Sequence, residues 1–253
     1  MIRVPWYKRA VPLDAIAIIP ARLASTRLPR KPLRAIAGKI MLERVYEAAK
    51  ACRQLRDVIV ATDSQEILDI CHQRGWHARI TSADCKSGTE RVREVAQSEK
   101  ADVYVNVQGD EPLARPEHLD ALLKPMQRHT VEVSTVMTPC PEHDIENPNA
   151  VKVIADRNGR AIYFSRLPVP YDRDNAKSYR YMKHLGFYAY RKDALNRFYS
   201  WPESALEKSE RLEQLRFLEN GTDIYIEETP FDTVGVDTEE DVKKEESILL
   251  NRT

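Results

Sequence analysis

The chain of 253 residues reads as an α/β protein, a Rossmann-like three-layer sandwich with a mainly parallel sheet and a smaller β-containing lobe. Two observations carry this reading. From Ala15 to Arg128 short apolar runs alternate with stretches of helical periodicity, the rhythm of βαβ units whose crossovers cover both faces of a parallel sheet. After Val131 the rhythm gives way to strand-like runs joined by turns, with Asp156-Arg157-Asn158-Gly159 a strong hairpin signal.

Ala15–Ile19 is a continuous apolar run, as expected of a strand buried on both faces. Residues 40–53 place Met41, Val45, Ala48 and Cys52 on one stripe, which is helical spacing. Residues 57–61 form a second strand. Ser64 is a candidate N-cap for a helix that Gly75 stops. Residues 76–80 give a third strand, Ser87-Gly88-Thr89-Glu90-Arg91 opens a helix to about Ser98, and 102–107 is a fourth strand. Pro116 begins a helix to about Arg128. Strands follow at 131–138, 151–155, 160–164, 184–190 and 224–226, with a proline-bearing loop at 168–174. One helix is expected from Leu206 to Asn220, ended by Gly221, and a charged helix capped by Thr238 runs to Leu250. Residues 1–13 read as an N-terminal extension.

Lys+Arg and Asp+Glu both number 39, so there is no overall pull toward nucleic acid or membranes, and anion binding must be local. The four cysteines lack a C-x-x-C spacing, which points to reduced thiols and away from structural zinc. Met1 to Pro12 lacks the apolar core of a signal peptide, and no apolar run reaches the roughly 18 residues of a membrane helix. The expectation is a cytoplasmic protein with no nucleic-acid partner and no membrane insertion.

Chemistry concentrates in two stretches. After the first strand, residues 20–32 carry Arg22, Arg27, Arg30 and Lys31 with Ser25 and Thr26 and no acid, so these cations need an anion. The fourth strand ends in Asn106-Val107-Gln108-Gly109-Asp110-Glu111-Pro112. In doubly wound sheets ligands bind beyond the carboxyl ends of strands where the strand order reverses, so the two loops should flank one crevice. Cations beside a carboxylate suit a nucleoside triphosphate with Mg²⁺. Taken alone, Asp110 also serves as a cap or turn acid, and Asp237 is either a second metal ligand or part of an ordinary strand-to-helix turn. Ser87 and Gly88 either receive a ligand at a helix N-terminus or simply cap it. His184 alone is more readily structural than catalytic. Neither a P-loop nor a G-x-G-x-x-G fingerprint occurs, nor a Ser–His–Asp order or H-E-x-x-H.

These motifs stand in a recognisable order: Ile19-Pro20-Ala21-Arg22 through Lys31-Pro32, Ala61-Thr62-Asp63, Ser87 to Arg91, Asn106 to Pro112, Tyr163-Phe164-Ser165-Arg166, His184-Leu185-Gly186-x-Tyr188, Leu212-Glu213-Gln214-Leu215-Arg216 and Val236-Asp237-Thr238. Over about residues 14–248 the chain resembles the 3-deoxy-D-manno-octulosonate (Kdo) cytidylyltransferases of the nucleotidyltransferase superfamily. The resemblance implies CTP and Kdo as substrates, giving CMP-Kdo and pyrophosphate by in-line attack of the anomeric hydroxyl on the α-phosphate. It implies Mg²⁺, a cytoplasmic homodimer and a place in lipopolysaccharide synthesis. Carried over by position, Arg22, Lys31, Asp110 and Asp237 are catalytic, the last two binding Mg²⁺. Arg22, Lys31, Ser87, Gly88, Arg91 and Gln108 hold the nucleotide, and Arg166, His184, Tyr188, Glu213 and Gln214 the sugar acid. The implied division is a nucleotide-binding core at 14–130 and 191–253, with an inserted sugar-binding and dimerisation lobe at 131–190. The alternatives are the same transfer to a related acid, such as an 8-amino Kdo analogue or a sialic-type acid, or a non-catalytic CTP sensor. One departure stands out: Arg30 replaces the family's usual glycine. If that position needs a positive φ, an arginine there is strained.

Overall fold

The structure, a computed structural model, describes residues 13–24, 27–174, 176 and 179–250. Apart from Leu13, the expected N-terminal extension lies outside the described residues, as do Ser25 and Thr26.

The first strand, β1 (Ala15–Ala21), is at the centre of a nine-stranded sheet. It pairs in parallel with β4 (Leu55–Thr62) on one side and β6 (Val103–Asn106) on the other, and β5 (Ala78–Ile80) extends the sheet in parallel beyond β4. The remaining strands of the main path are β7 (Val133–Pro139), β10 (Met182–Tyr190) and β11 (Ile224–Glu228), and the order in space is β11-β7-β10-β6-β1-β4-β5. A small ribbon of β2 (Ala35–Ile36) and β3 (Lys39–Ile40) follows the basic loop.

The pleat of β1 explains the three layers. Successive side chains alternate between faces. Ala15, Ala17 and Ile19 pack with α1 (Met41–Ala51), α2 (Gln65–Gln73) and α4 (Pro116–Met126) through Leu42, Val45, Ile67, Leu119 and Leu123. Ile16 and Ile18 face the other way, toward Val92, Val95 and Ala96 of α3 (Gly88–Ser98) and Leu195 and Phe198 of α5 (Lys192–Ser200). Each face buries a continuous apolar cluster, and at about 25 cal/mol per Å² this burial drives assembly.

The sheet is mainly parallel, as expected, with β10 running antiparallel to both β6 and β7. Two details differ from the sequence reading. Of the segment 131–190, β7 and β10 are integral to the central sheet. The part that branches from it is the hairpin of β8 (Lys152–Ala155) and β9 (Ala161–Ser165), turned by Gly159 at φ 75°. The single helix expected over 206–220 is two, α6 (Ala205–Glu210) and α7 (Leu215–Glu219), separated where Arg211 takes φ 55°. A capping box of Ser204 and Glu207 starts α6, and Glu207 then receives Arg216 at 2.7 and 2.5 Å. That pairing folds the second helix back on the first.

Candidate active site

The two chemical loops meet at the carboxyl end of the sheet. Their contact is close enough to dictate a residue: a Cβ on Gly109 would lie 2.7 Å from the Pro20 carbonyl oxygen. The register supports the same meeting, since Val107 N–H donates to Ile18 O at 3.0 Å. Between the loops opens a cavity of about 640 Å³, lined by Arg22, Arg27, Lys31, Ser87, Gly88, Arg91, Gln108, Asp110 and Asp237 among others. All six expected nucleotide-binding residues and both expected metal ligands therefore share one crevice.

The basic wall is shaped locally. Arg30 adopts the left-handed conformation, φ 57° and ψ 33°, just before a 3-10 turn at Lys31–Leu33 in which Pro32 is buried. The positive φ foreseen for the family's glycine position is thus present with an arginine in place. Arg30 also forms a two-pronged ion pair with Glu66 of α2, one prong at 3.0 Å. This pair ties the loop to the helix and turns Lys31 inward. Lys31 Nζ donates to Asp110 Oδ2 at 2.6 Å and to Asp237 Oδ1 at 2.9 Å, while Arg27 reaches Asp237 Oδ2 at 2.9 Å. Burial by itself would lower the Lys31 pKa, but Asp110 and Asp237 outweigh it and hold it above the usual value.

The acidic side comes from two connections. Asp110 follows β6, and its carbonyl accepts the Val236 N–H at 2.9 Å, which lays 235–237 against it. Asp237 is fixed by the start of α8 (Glu239–Leu250), where Asp241 accepts the backbone N–H groups of Asp237 and Thr238 at 3.0 and 2.9 Å. Thr238 Oγ1 accepts the Asp241 N–H at 3.2 Å, confirming its role as the cap. Behind this pair lies Glu111, whose buried carboxyl accepts the Thr233 hydroxyl at 2.7 Å. Burial, with Asp110 adding to it, pushes the Glu111 pKa up to about 8.

This donor set fits a hard divalent cation. One ammonium already reaches both carboxylates, so a single cation can bridge them, and their side chains keep 32% and 43% exposure, leaving room for water or phosphate oxygens. Among the described residues no cluster of three or more His, Cys, Asp or Glu forms a cage. Mg²⁺ does not need one, since it is commonly held by one or two carboxylates plus phosphates.

A further wall of the cavity is the N-terminus of α3. Ser87 caps it, accepting the Glu90 N–H at 3.3 Å, and the helix dipole favours an anion there. Ser87 is therefore the cap of this helix and part of the cavity wall. Arg91 is buried and bonded to Thr81 and to Asp63 at 3.0 Å.

The five residues expected to hold the sugar acid are not part of that cavity lining. Four cluster behind it. Glu213 accepts the Thr89 hydroxyl, and burial raises its pKa against hydrogen bonds from Thr89 and Ser87. His184 is lodged deep in the protein, its Nε2 3.0 Å from the Thr135 hydroxyl and its ring against Phe164 and Tyr188. Burial pushes its pKa down to about 3. The Tyr188 hydroxyl and Gln214 Nε2 are buried without hydrogen-bond partners. Arg166 is engaged otherwise, donating to the Glu210 carbonyl at 2.7 Å and the Pro148 carbonyl at 2.8 Å. Sequence reasoning quoted Asn106 and Thr89 within its motifs but gave them no role, and it did not reach Thr135. Asn106 is fully buried, and both of its amide atoms lack partners. Its signal was a polar residue ending an otherwise apolar strand.

Comparison with known proteins agrees with this geometry. Residues 16–224 match the family model described as cytidylyltransferase. A 3-deoxy-manno-octulosonate cytidylyltransferase of Koribacter versatilis is 67% identical over 95% of this chain and 92% of its own. One from Acidobacterium capsulatum is 56% identical over 95% and 98%. The solved structure of CMP:2-keto-3-deoxy-manno-octonic acid synthetase complexed with CTP superposes with a TM-score of 0.91 at 40% identity, covering 95% of this chain and all of that one. A 4-diphosphocytidyl-2C-methyl-D-erythritol synthase from Anaerococcus prevotii, 14% identical with a TM-score of 0.62, shares the fold. Fold, site and similarity converge: the chain belongs to the cytidylyltransferase family, among its 3-deoxy-manno-octulosonate cytidylyltransferases.

Proposed function

We propose that this enzyme transfers the cytidylyl group of CTP to Kdo, releasing pyrophosphate. The observation that carries the reading is the single crevice in which Arg22, Arg27 and Lys31 face Asp110 and Asp237 across the Pro20–Gly109 contact. Arg22, Lys31 and the α3 N-terminus bind the triphosphate and offset charge growing on the pyrophosphate as it leaves. Gln108 and Arg91 line the nucleotide end of the same space. The sugar acid lies toward Tyr188, Glu213 and Gln214, where buried unpartnered polar atoms suit a polyhydroxylated ligand. There the substrate hydroxyl forms a bond to the α-phosphorus as the bond to the β-phosphate oxygen breaks, and its proton is released. Asp110 and Asp237 would hold Mg²⁺, which would supply charge neutralisation at the phosphates and help lower the pKa of the attacking hydroxyl. His184, held neutral, serves binding rather than charge compensation. Arg166 tethers the end of β9 to α6 behind the sugar site and acts on it through that scaffold.

Two wider features belong to the same reading. Ile162, Leu167 and Tyr171 of the branching hairpin and its loop are 58%, 70% and 84% exposed, an apolar face suited to a second copy of the chain. Sedimentation velocity is expected to give the mass of two chains, and a monomer at micromolar concentration would overturn this part. Among the described residues no helix is long and apolar enough to cross a membrane. As part of the same proposal the enzyme works in the cytoplasm and feeds Kdo into lipopolysaccharide.

The function is tested by coupled pyrophosphate release with CTP, ATP, GTP and UTP, each with Kdo. Release is expected from CTP and from the others at a small fraction of that rate. No release from CTP sinks the reading, and a faster rate with another sugar acid would reassign the acceptor.

A further inference from the structure

Lys31 stands at the point where two demands on the crevice collide. Its ammonium bonds both Asp110 and Asp237, at 2.6 and 2.9 Å, and Arg27 takes the second oxygen of Asp237 at 2.9 Å. Two carboxylates and two cations make this locus locally neutral. The lysine side chain is only 16% exposed, so these bonds are shielded from competing water. A divalent cation arriving by itself meets Lys31 and Arg27 as like charges at a few ångströms. It must also break charge-assisted hydrogen bonds, which are about twice as strong as neutral ones.

A triphosphate changes the balance. It brings several negative charges to the wall where Arg22, Arg27 and the α3 N-terminus already converge, and it offers the Lys31 ammonium a second anionic partner. Once Lys31 turns to phosphate, Asp110 and Asp237 are left facing each other as like charges. A replacement cation between them then becomes favourable.

We propose that Lys31 and the divalent cation compete for Asp110 and Asp237, so that metal enters the site together with the nucleotide and not ahead of it. This deepens the reading of the crevice as a nucleotidyl-transfer centre and rests on it. Because binding free energies are reciprocal, whatever the nucleotide does to metal affinity the metal does to nucleotide affinity. Lys31 is the element through which the two are coupled.

The test is Mn²⁺ binding to the full chain without nucleotide, followed by the electron paramagnetic resonance signal of the free ion. Wild type is expected to bind weakly. Lys31→Met, near the same length and uncharged, should bind Mn²⁺ about tenfold more tightly or better. Lys31→Gln should do the same if Lys31→Met folds poorly, and Lys31→Arg should stay as weak as wild type. Adding Asp110→Asn to Lys31→Met should abolish the gain, which places the ion at these carboxylates. The proposal is overturned if neither uncharged variant binds more tightly, or if the gain survives Asp110→Asn. The readout needs no sugar and no turnover. If Lys31→Met gained Mn²⁺ affinity while the wild-type protein released no pyrophosphate from CTP and Kdo, the competition would stand and the proposed function would fall. Wild-type turnover with no gain in either uncharged variant would do the reverse.

Discussion

At Gly109 the chain has no room for a side chain, because the Pro20 carbonyl oxygen occupies the place where a Cβ would go, 2.7 Å away. Backbone atoms on both sides cannot move without separating the two loops that form the crevice. Gly109→Ala is therefore expected to lower the unfolding free energy by about 1–3 kcal/mol and to depress turnover more than stability alone explains. Urea unfolding and pyrophosphate release on the same sample check this, and a variant like wild type in both would show that the loops need not touch. At this scale the sequence was most informative where residue type and order carried the signal. The cations of 22–31 and the acids at 110 and 237 could be read directly, whereas the positive φ that Arg30 adopts was raised only as a condition, from the glycine usual at that place in the family. What could not be read was pairing across the chain. Nothing in the order of residues says that Lys31 bridges Asp110 and Asp237, or that Arg30 is held by Glu66, because those contacts are made only after the sheet has assembled.

Helix α3 shows an element serving the fold and the site with the same residue. Ser87 caps the helix while lining the cavity, and a Cβ on Gly88 would stand 3.3 Å from the Gln108 side chain. Ser87→Ala should cost about 1 kcal/mol of stability and raise the KM for CTP. Ser87→Asp, which can still cap, should recover the stability but not the KM, since a second anion there repels the phosphates. Equal recovery of both would mean that Ser87 acts only as a cap. Helices with a clear stripe and caps were legible in advance, as α1, α2 and α4 were. The 206–220 stretch was not, because its leucine spacing is helical while Arg211 takes the left-handed conformation and Glu207 pairs with Arg216 across the break. Between the two helices Glu213 accepts the Thr89 hydroxyl, so the stretch that defied the pattern carries one of the residues expected to hold the sugar acid.

Across the whole molecule the buried titratable groups pull stability in opposite directions with pH. Burial holds His118 and His184 below the ordinary histidine value of 6.5, His184 at about 3. Below pH 6.5 the unfolded chain takes up protons that the folded one refuses, so these groups make stability fall as pH falls. Glu111 and Glu213 are raised, and their contribution is present at low pH and lost as pH rises. The wild-type profile near pH 5–7 is thus a partial cancellation. Removing one histidine exposes it: His184→Gln should gain on wild type as pH drops below 6.5, by up to about 1.4 kcal/mol per pH unit. Denaturant unfolding at several pH values measures the difference, and a constant offset would mean that His184 is not held neutral. The topology was partly legible at this scale. The placement of β6 beside β1 followed from the βαβ rhythm, whereas the insertion of antiparallel β10 between β6 and β7 has no local signature.

In the proposed reaction the crevice between the loop after β1 and the loop after β6 joins the α-phosphate of CTP to a sugar acid. Phosphorus NMR of the intact protein with CTP, Kdo and Mg²⁺ tests it most directly, because it reports which bond is cut. The account predicts a new phosphodiester resonance for the cytidylyl sugar, growing in equal amount with pyrophosphate, and its loss by about a hundredfold in rate in Asp237→Asn. CDP with orthophosphate, or CTP left unchanged beside folded enzyme, would contradict it.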